Sequence, residues 1–455
     1  MTTSRKAHLI LHALAGGLFL AIAGAIELTA TRRLHGSLAQ FGLIGVGLAL
    51  ILIGVFPLPS PLRAVSEKLC ISLISFSVLL VSLEGACRLA HFDFIGEERA
   101  YRRLPIFFRW PIVPTGEVYF RREGPEEWTG QPLKQICEQL DVLPNPYQSE
   151  PKVTIRYDKN GFRHEEGFND WDIVIAGDSF TEQGHLPYKD LFTTLMSQQM
   201  KTRVLNLGTT NTGPLNQLSF LRDYGLAPST KRAVIIFFEG NDLLDLNREY
   251  TDLMKYRATG QRSYRTFRKE TSLLRTLFQT VTKQQKYNVK ERLNVLLAYN
   301  RPKSWITGYF QSDGGDIPIT LAANGSPPSR SELTAETMKQ LEYFFEQYAA
   351  FGKEHRLEIW SAFMPCKERA LYGMVRLADD APEDVKHWTP TDLPQVISDL
   401  AKARGIRFMD LSPAFMQEAR TSHKLLFDTI YDGHLNASGS HLVATEMARV
   451  LSNPE

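Results

Sequence analysis

The sequence predicts an α/β protein with a mainly parallel sheet covered by helices on both faces, carried behind membrane-inserted helices. Three observations point there. Residues 9–26, 38–58 and 69–83 are almost uncharged apolar runs. From Thr154 onward, short β-branched runs alternate with amphipathic stretches. The run at residues 172–176 stops abruptly at Gly177-Asp178-Ser179-Phe180. A strand halted by glycine presents the next side chain at the C-terminal edge of a sheet, where open α/β proteins keep their chemistry.

At the N-terminus, the first two apolar runs approach the ~20 residues a helix needs to cross the bilayer core. The third is cut by Glu84 and gains length only by taking in residues 64–68 or by extending to Leu89. Residues 1–90 are therefore expected to form a membrane anchor of about three transmembrane helices. Arg5 and Lys6 resemble the start of a signal peptide, but two further apolar runs close behind argue for retention. Charge does not fix orientation. Three crossings from a cytoplasmic N-terminus place Arg32, Arg33, Arg88, Arg99, Arg102 and Arg103 outside, against the positive-inside bias, and a re-entrant third run reverses the answer. The expectation is a multi-pass protein with an extracytoplasmic catalytic domain. Cys70 and Cys87 belong to the third run, leaving Cys137 and Cys366 as the pair that an oxidising compartment would allow to bridge.

Residues 91–153 are rich in proline, arginine and aromatics without periodicity, the composition of a connector packed on the next domain. After it comes an extended piece closed by Asn160-Gly161, the strand at 172–176, and an amphipathic stretch at 188–200. Strands follow at 203–207, 233–238, 357–363 and 406–411, with helical patterns at 335–353, 393–404 and 437–451. Such alternation implies a parallel sheet between helical layers. Over residues 243–333 the alternation lapses into an insertion. Within it, residues 247–303 are strongly basic, with Leu273, Leu274, Leu277, Phe278 and Val281 at helical spacing. Two readings stay open: a solvated helix with one buried face, or a basic surface for anionic headgroups or polymer. Residues 304–331 have the Gly, Pro and Ser content of a mobile lid.

Two more strand-end turns follow the serine: LNLGTTNTG at 205–213 and FFEGNDLLD at 237–245. Far downstream, residues 426–444 hold an Asp-x-His pair before the last helical stretch. A hydroxyl, a base, an orienting carboxylate and hydrogen-bond donors are the parts of an acyl-transfer site. In this pattern the chain resembles the SGNH or GDSL hydrolases. The matching blocks are Gly177 to Phe180, Gly240-Asn241-Asp242, and Asp432-Gly433-His434 with Leu435-Asn436. The NGFR segment at 160–163 is similar to bacterial membrane-anchored members.

The resemblance implies a three-layer α/β/α, flavodoxin-like domain over residues 154–455, apart from the insertion. It places the nucleophile on Ser179, the base on His434, and the orienting carboxylate on Asp432, with Asp428 in reserve. Many relatives space the pair Asp-x-x-His; the Asp-x-His here resembles the polysaccharide O-acetylation branch. His441 is expected on the C-terminal helix as a packing or surface residue. The implied oxyanion hole comprises the Ser179 N–H, an N–H of the second block and the Asn241 side chain. Asn211 stands where the family usually has glycine, and asparagine tolerates the left-handed backbone region. Gly213 is the rival donor. Asp178 and Asp242 are expected to support turns, and Glu239 and Asp245 to be plain strand-end carboxylates.

The expected function is a membrane-anchored serine esterase or acyltransferase acting on O-acyl, chiefly O-acetyl, esters of envelope carbohydrate. The alternatives are a lipid esterase at the bilayer, or a catalytically weak scaffold that binds glycan or partners a membrane acyltransferase. With no Gly-rich phosphate loop and no His/Cys ligand set, neither cofactor nor metal is predicted. The basic insertion contains no nucleic-acid module, so nucleic acid is not an expected partner.

Overall fold

The computed structural model describes residues 3–29, 38–92, 98, 101–102, 104–140, 142–143, 145–165, 167–262, 305–321, 326–429 and 433–452. Two compact units divide the chain: residues 1–96 with 268–287, and residues 97–267 with 288–455.

The first unit contains helices α1 (Thr3–Thr29), α2 (Leu38–Val55) and α3 (Ser60–Leu89). Among the described residues, α3 alone is long and apolar enough to cross a membrane. One of the expected spans is thus met by length and composition, and it is the run that looked weakest in the sequence. Pro61 in the first turn of α3 presets the helical φ. Residues 60–68 thereby join the apolar run, and the helix continues past Glu84 to Leu89. Helix α2 has 18 residues, and Ile44–Val55 within it is an apolar helix among the described residues. Helix α1 contains Arg5, Lys6, His8, His12 and Glu27. His8 is buried and meets Glu67 of α3 at 3.1 Å.

The second unit is built on five strands: β1 (Ile173–Gly177), β2 (Val204–Gly208), β3 (Arg232–Phe238), β4 (Glu358–Met364) and β5 (Arg407–Asp410). All neighbours are parallel, in the order β2-β1-β3-β4-β5. Successive side chains go to opposite faces, as strand geometry requires. The helices of this unit that bear on the site and its core are α4 (Ser179–Glu182), α5 (Phe192–Met200), α6 (Pro214–Tyr224), α7 (Asp242–Thr259), α8 (Ala335–His355), α9 (Leu393–Lys402), α10 (Ser412–Ser422) and α11 (Ala437–Ser452). Ile173, Ile175, Val234 and Ile236 pack against α5, α10 and α11 through Phe192, Met196, Phe415, Val443 and Met447. Val174, Ala176, Ile235 and Phe237 pack against α6, α7, α8 and α9 through Leu218, Leu246, Phe344 and Ile397. Three layers result, as expected.

The insertion differs from its reading. Its first part is helix α7, and the segment read as a lid contains an antiparallel hairpin, Gly308–Ser312 with Gly315–Ile319, joined by Val375–Leu377. Phe310 and Ile319 of that hairpin are buried in the core, so this part of the segment is anchored by the same apolar packing as the sheet. Leu273, Leu274, Leu277, Phe278 and Val281 lie outside the described residues. All four cysteines are free thiols, so Cys137 and Cys366 form no bridge.

The segment before the sheet docks on it through one buried cation. Arg122 follows the strand Tyr119–Arg121, and its guanidinium sits 2.6 Å from Glu182 of α4 with both side chains almost fully buried. The same guanidinium donates to the carbonyls of Ile106 and Arg109 and lies 4.8 Å from the Tyr157 ring centre. Removing one partner of a buried pair strands the other charge. Arg122→Ala is therefore expected to lower the unfolding free energy by about 3–5 kcal/mol. Adding Glu182→Gln should recover part of the loss, because an unpaired neutral amide is less costly to bury than a charge. Denaturant melts of the two variants check this.

Candidate active site

The site begins where β1 ends. Asp178 accepts the Phe180 N–H at 2.9 Å and so caps α4, which sets Ser179 at the first helical position. That position lies between β1 and β3, the point where the strand order reverses and open α/β sheets leave a crevice. Gly208 at the end of β2 allows the neighbouring turn to approach. A Cβ there would stand 2.2 Å from the Glu182 nitrogen and 2.4 Å from the Thr181 carbonyl carbon.

The Ser179 hydroxyl oxygen lies 2.7 Å from His434 Nε2, although the two residues are 255 positions apart. The Phe180 ring stacks on Phe238 at 3.7 Å and lies 4.8 Å from the His434 ring, giving the imidazole an apolar wall. The segment bearing His434 is closed on itself. Asp428 N–H donates to the His434 carbonyl at 2.8 Å, Phe427 bridges Leu435, and Asn436 Nδ2 donates to the carbonyls of Leu425 and Phe427. The buried Lys367 ammonium adds donors to the carbonyls of Thr320, Asp428 and Thr429.

Asp432 lies outside the described residues. The reserve carboxylate, Asp428, is buried with one oxygen 3.1 Å from His185 Nε2, and the same nitrogen lies 3.1 Å from the Leu435 carbonyl. His185 was not singled out from the sequence. Its ring centre is 5.9 Å from that of His434. His441 is exposed on α11, as expected.

On the oxyanion side, Asn241 shares a cleft of about 690 Å³ with Ser179, His434, Phe238, Leu333 and Trp388. Volumes of several hundred Å³ suit small-molecule ligands. Asn241 Nδ2 donates to Asp245 at 2.6 Å, and Glu239 pairs with Arg369 at 2.6 Å while accepting the Cys366 N–H. Neither acid is an idle strand-end carboxylate, which corrects that expectation. Asn211 adopts φ 61°, in the left-handed region that asparagine tolerates. The Gly213 N–H is taken by Glu249 at 2.6 Å, which removes Gly213 as the rival donor.

Acids beneath the serine are held against their ordinary ionisation. Burial pushes the Asp178 carboxyl up to about 7, against the pull of the Phe180 N–H and of His434. Burial and the nearby Asp178 push Asp242 well up too, and this carboxyl accepts the Phe238 N–H at 2.8 Å. Both therefore brace turns, as expected. Among the described residues no group of three or more His, Cys, Asp or Glu side chains is arranged to hold a metal ion.

No family model matches the chain, and no curated protein does. Solved structures do resemble it. A chain described as a lipolytic protein of the G-D-S-L family from Desulfitobacterium hafniense DCB-2 is 12% identical, covering 62% of this chain and 99% of its own at a TM-score of 0.31. The acetyl xylan esterase AlAXEase gives the same four values. Axe2, an acetylxylan esterase from Geobacillus stearothermophilus, is 12% identical over 62% of this chain and 94% of its own, with a TM-score of 0.30. With likeness this distant, the fold rests on the strand order and the chemistry on the Ser179–His434 pair.

The buried acids imply a pH dependence of stability. The Asp178 carboxyl stands at about 7 in the folded chain against 3.8 ordinarily. A raised folded value favours the protonated form, so its contribution is fully present below the ordinary value and is lost as pH rises through about 7. The thermal midpoint is expected to fall between about pH 4 and pH 8. Asp178→Asn, which keeps an acceptor oxygen for Phe180 without titrating, should fall less. An equal decline in both proteins contradicts the buried acid.

Proposed function

We propose that this chain is a membrane-anchored ester hydrolase or acyltransferase of the SGNH/GDSL type, with Ser179 as nucleophile, His434 as base and Asp432 orienting the imidazole. The carrying observation is the 2.7 Å contact between the Ser179 hydroxyl and His434 Nε2 at the sheet's switch point. A general base must lie within about 2.6–3.2 Å of the proton it removes. Ser179 attacks the ester carbonyl carbon as its proton passes to His434. The carbonyl oxygen then becomes an oxyanion facing the Ser179 N–H, the Asn211 N–H and the Asn241 amide. Asn241 has two amide hydrogens; Asp245 fixes the group through one and leaves the other for the substrate. Collapse expels the alcohol, which takes the proton back from His434. Water or a sugar hydroxyl then removes the acyl group from Ser179 by the same steps reversed.

The substrate we propose is an O-acyl, chiefly O-acetyl, ester of an envelope carbohydrate. Support comes from the Asp-x-His spacing of Asp432 and His434, from the cleft volume, and from α3 as the anchor. The extracytoplasmic placement belongs to this reading. Leu244, a cleft residue 70% exposed, favours a second reading in which the acyl group is longer and the substrate a lipid ester.

Labelling by a fluorophosphonate probe tests the mechanism. Wild type is expected to label, Ser179→Ala to lose labelling, and His434→Ala to label at least ~100-fold more slowly. Asp432→Asn should cost up to ~10⁴ in turnover, as loss of an orienting carboxylate does, and Asp428→Asn far less. Folded wild type that does not label rules out the serine nucleophile. A topology reporter fused after Glu455 is expected to read outside the cytoplasm; a cytoplasmic reading makes an envelope carbohydrate substrate untenable.

A further inference from the structure

The turn at residues 209–213 is gripped from two sides by acids that catalysis does not itself use. At one end the Thr209 N–H continues the sheet onto the Gly177 carbonyl at 3.0 Å, and the Thr210 N–H donates to Glu182 of α4. At the other end Glu249 of α7 accepts three N–H groups, from Gly213 at 2.6 Å and from Leu215 and Asn216 at 3.1 Å each. Glu182 is 1% exposed and Glu249 7%. Between the two grips stands Asn211 at φ 61°, with no acceptor for its N–H among the described residues.

Helix α7 reaches both halves of the oxyanion hole. It begins at Asn241, its N-cap, and Asp245 one turn later holds the Asn241 amide. Arg248 reaches the Asn211 carbonyl at 3.4 Å and Asp245 at 3.0 Å, and Glu249 holds the far end of the turn. Positions 245, 248 and 249 share one helical face. The turn lies directly against that face: a Cβ on Gly213 would stand 2.7 Å from the Asp245 Cβ and 2.9 Å from Glu249 Oε2.

We propose that Glu182 and Glu249 clamp this turn so that the Asn211 N–H is presented as an oxyanion donor, with Glu249 the positioning residue that compensates for an asparagine where glycine would adopt the conformation freely. The inference rests on the serine-hydrolase reading above. A non-glycine residue in the left-handed region is held there only by what surrounds it. Here both grips are carboxylates on rigid helices, and one of those helices also carries Asn241. Helix α7 thus bears on both the Asn211 turn and the Asn241 amide. Preorganised donors act only on the charge that develops in the transition state. Loosening the turn therefore lowers kcat and leaves KM alone.

The test is steady-state hydrolysis of 4-nitrophenyl acetate by the full chain, with thermal melts alongside. Glu249→Ala is expected to lower kcat by about 10²-fold, the scale of losing one oxyanion donor, with KM within about twofold. Glu249→Gln keeps an acceptor oxygen and should regain about tenfold of that loss. Wild-type kcat in Glu249→Ala overturns the clamp, and so does an equal loss in both variants. Should Glu249→Ala not fold, Arg248→Ala at the exposed edge of the same face replaces it. A several-fold drop in its kcat at unchanged KM supports the clamp, and an unchanged kcat overturns it. The two levels of inference separate cleanly: wild type that neither labels nor turns over removes the hydrolase reading, whereas labelling with insensitivity at Glu249 removes the clamp alone.

Discussion

A buried carboxylate must be satisfied from every side, and Glu182 is the one on which this site is assembled. It sits three residues after Ser179 on a single turn of helix, almost wholly out of water. Its oxygens meet the Arg122 guanidinium, the Tyr157 hydroxyl and the Thr210 N–H. Those three partners come from the segment before the domain, from the strand Val153–Tyr157 that precedes the sheet, and from the turn after β2. An unmet charge here would cost several kcal/mol, so the three segments and helix α4 are obliged to meet. The stretch that the sequence presents as a connector is thus tied to helix α4 through Arg122. Asn216 Nδ2, bonded to the Phe120 carbonyl at 3.0 Å, adds a second tie from that stretch to helix α6.

Strands and several helices were legible because their periodicity is carried by apolar residues. Every strand of the five-stranded sheet lies within a residue or two of its expected place, as do α8, α9 and α11. Ser179 and His434 were legible because each interrupts such a pattern at a strand end or just before a helix. Helix α7 was not, and the reason is physical. Its buried face is Asp242, Asp245, Leu246, Glu249, Tyr250 and Leu253, a regular helical spacing in which half the positions are acids. A search for apolar periodicity passes over such a helix because its inward acids hold amide groups and only Leu246, Tyr250 and Leu253 pack on the core. The same blindness covers Arg122 and Lys367, whose partners are distant in sequence and whose charge suggests a surface.

The third apolar run shows what an inspection of single residues misses. Counting uncharged residues favoured the first two apolar runs and penalised the third for Glu84. Helix length depends on where the chain is allowed to start and stop, and the prolines around Ser60 set that start well before the apolar run. Glu84 does not interrupt the helix, and Arg88 one turn later lies 2.6 Å from its carboxylate. An ionic pair at that spacing neutralises the charge which an inspection of single residues counts against the span.

The separation of the reacting pair has a consequence for the making of the protein. Ser179 and His434 are 255 residues apart in the chain, and ribosomes add roughly 5–20 residues per second. The strand and turn that display the serine are therefore complete some tens of seconds before the segment that carries His434 exists. During that interval the nascent domain holds Ser179 without the imidazole that lies 2.7 Å from it in the folded chain. In the mechanism proposed above, Ser179 becomes reactive only once the segment that carries His434 has docked beside it, so an unfinished chain lacks the pair.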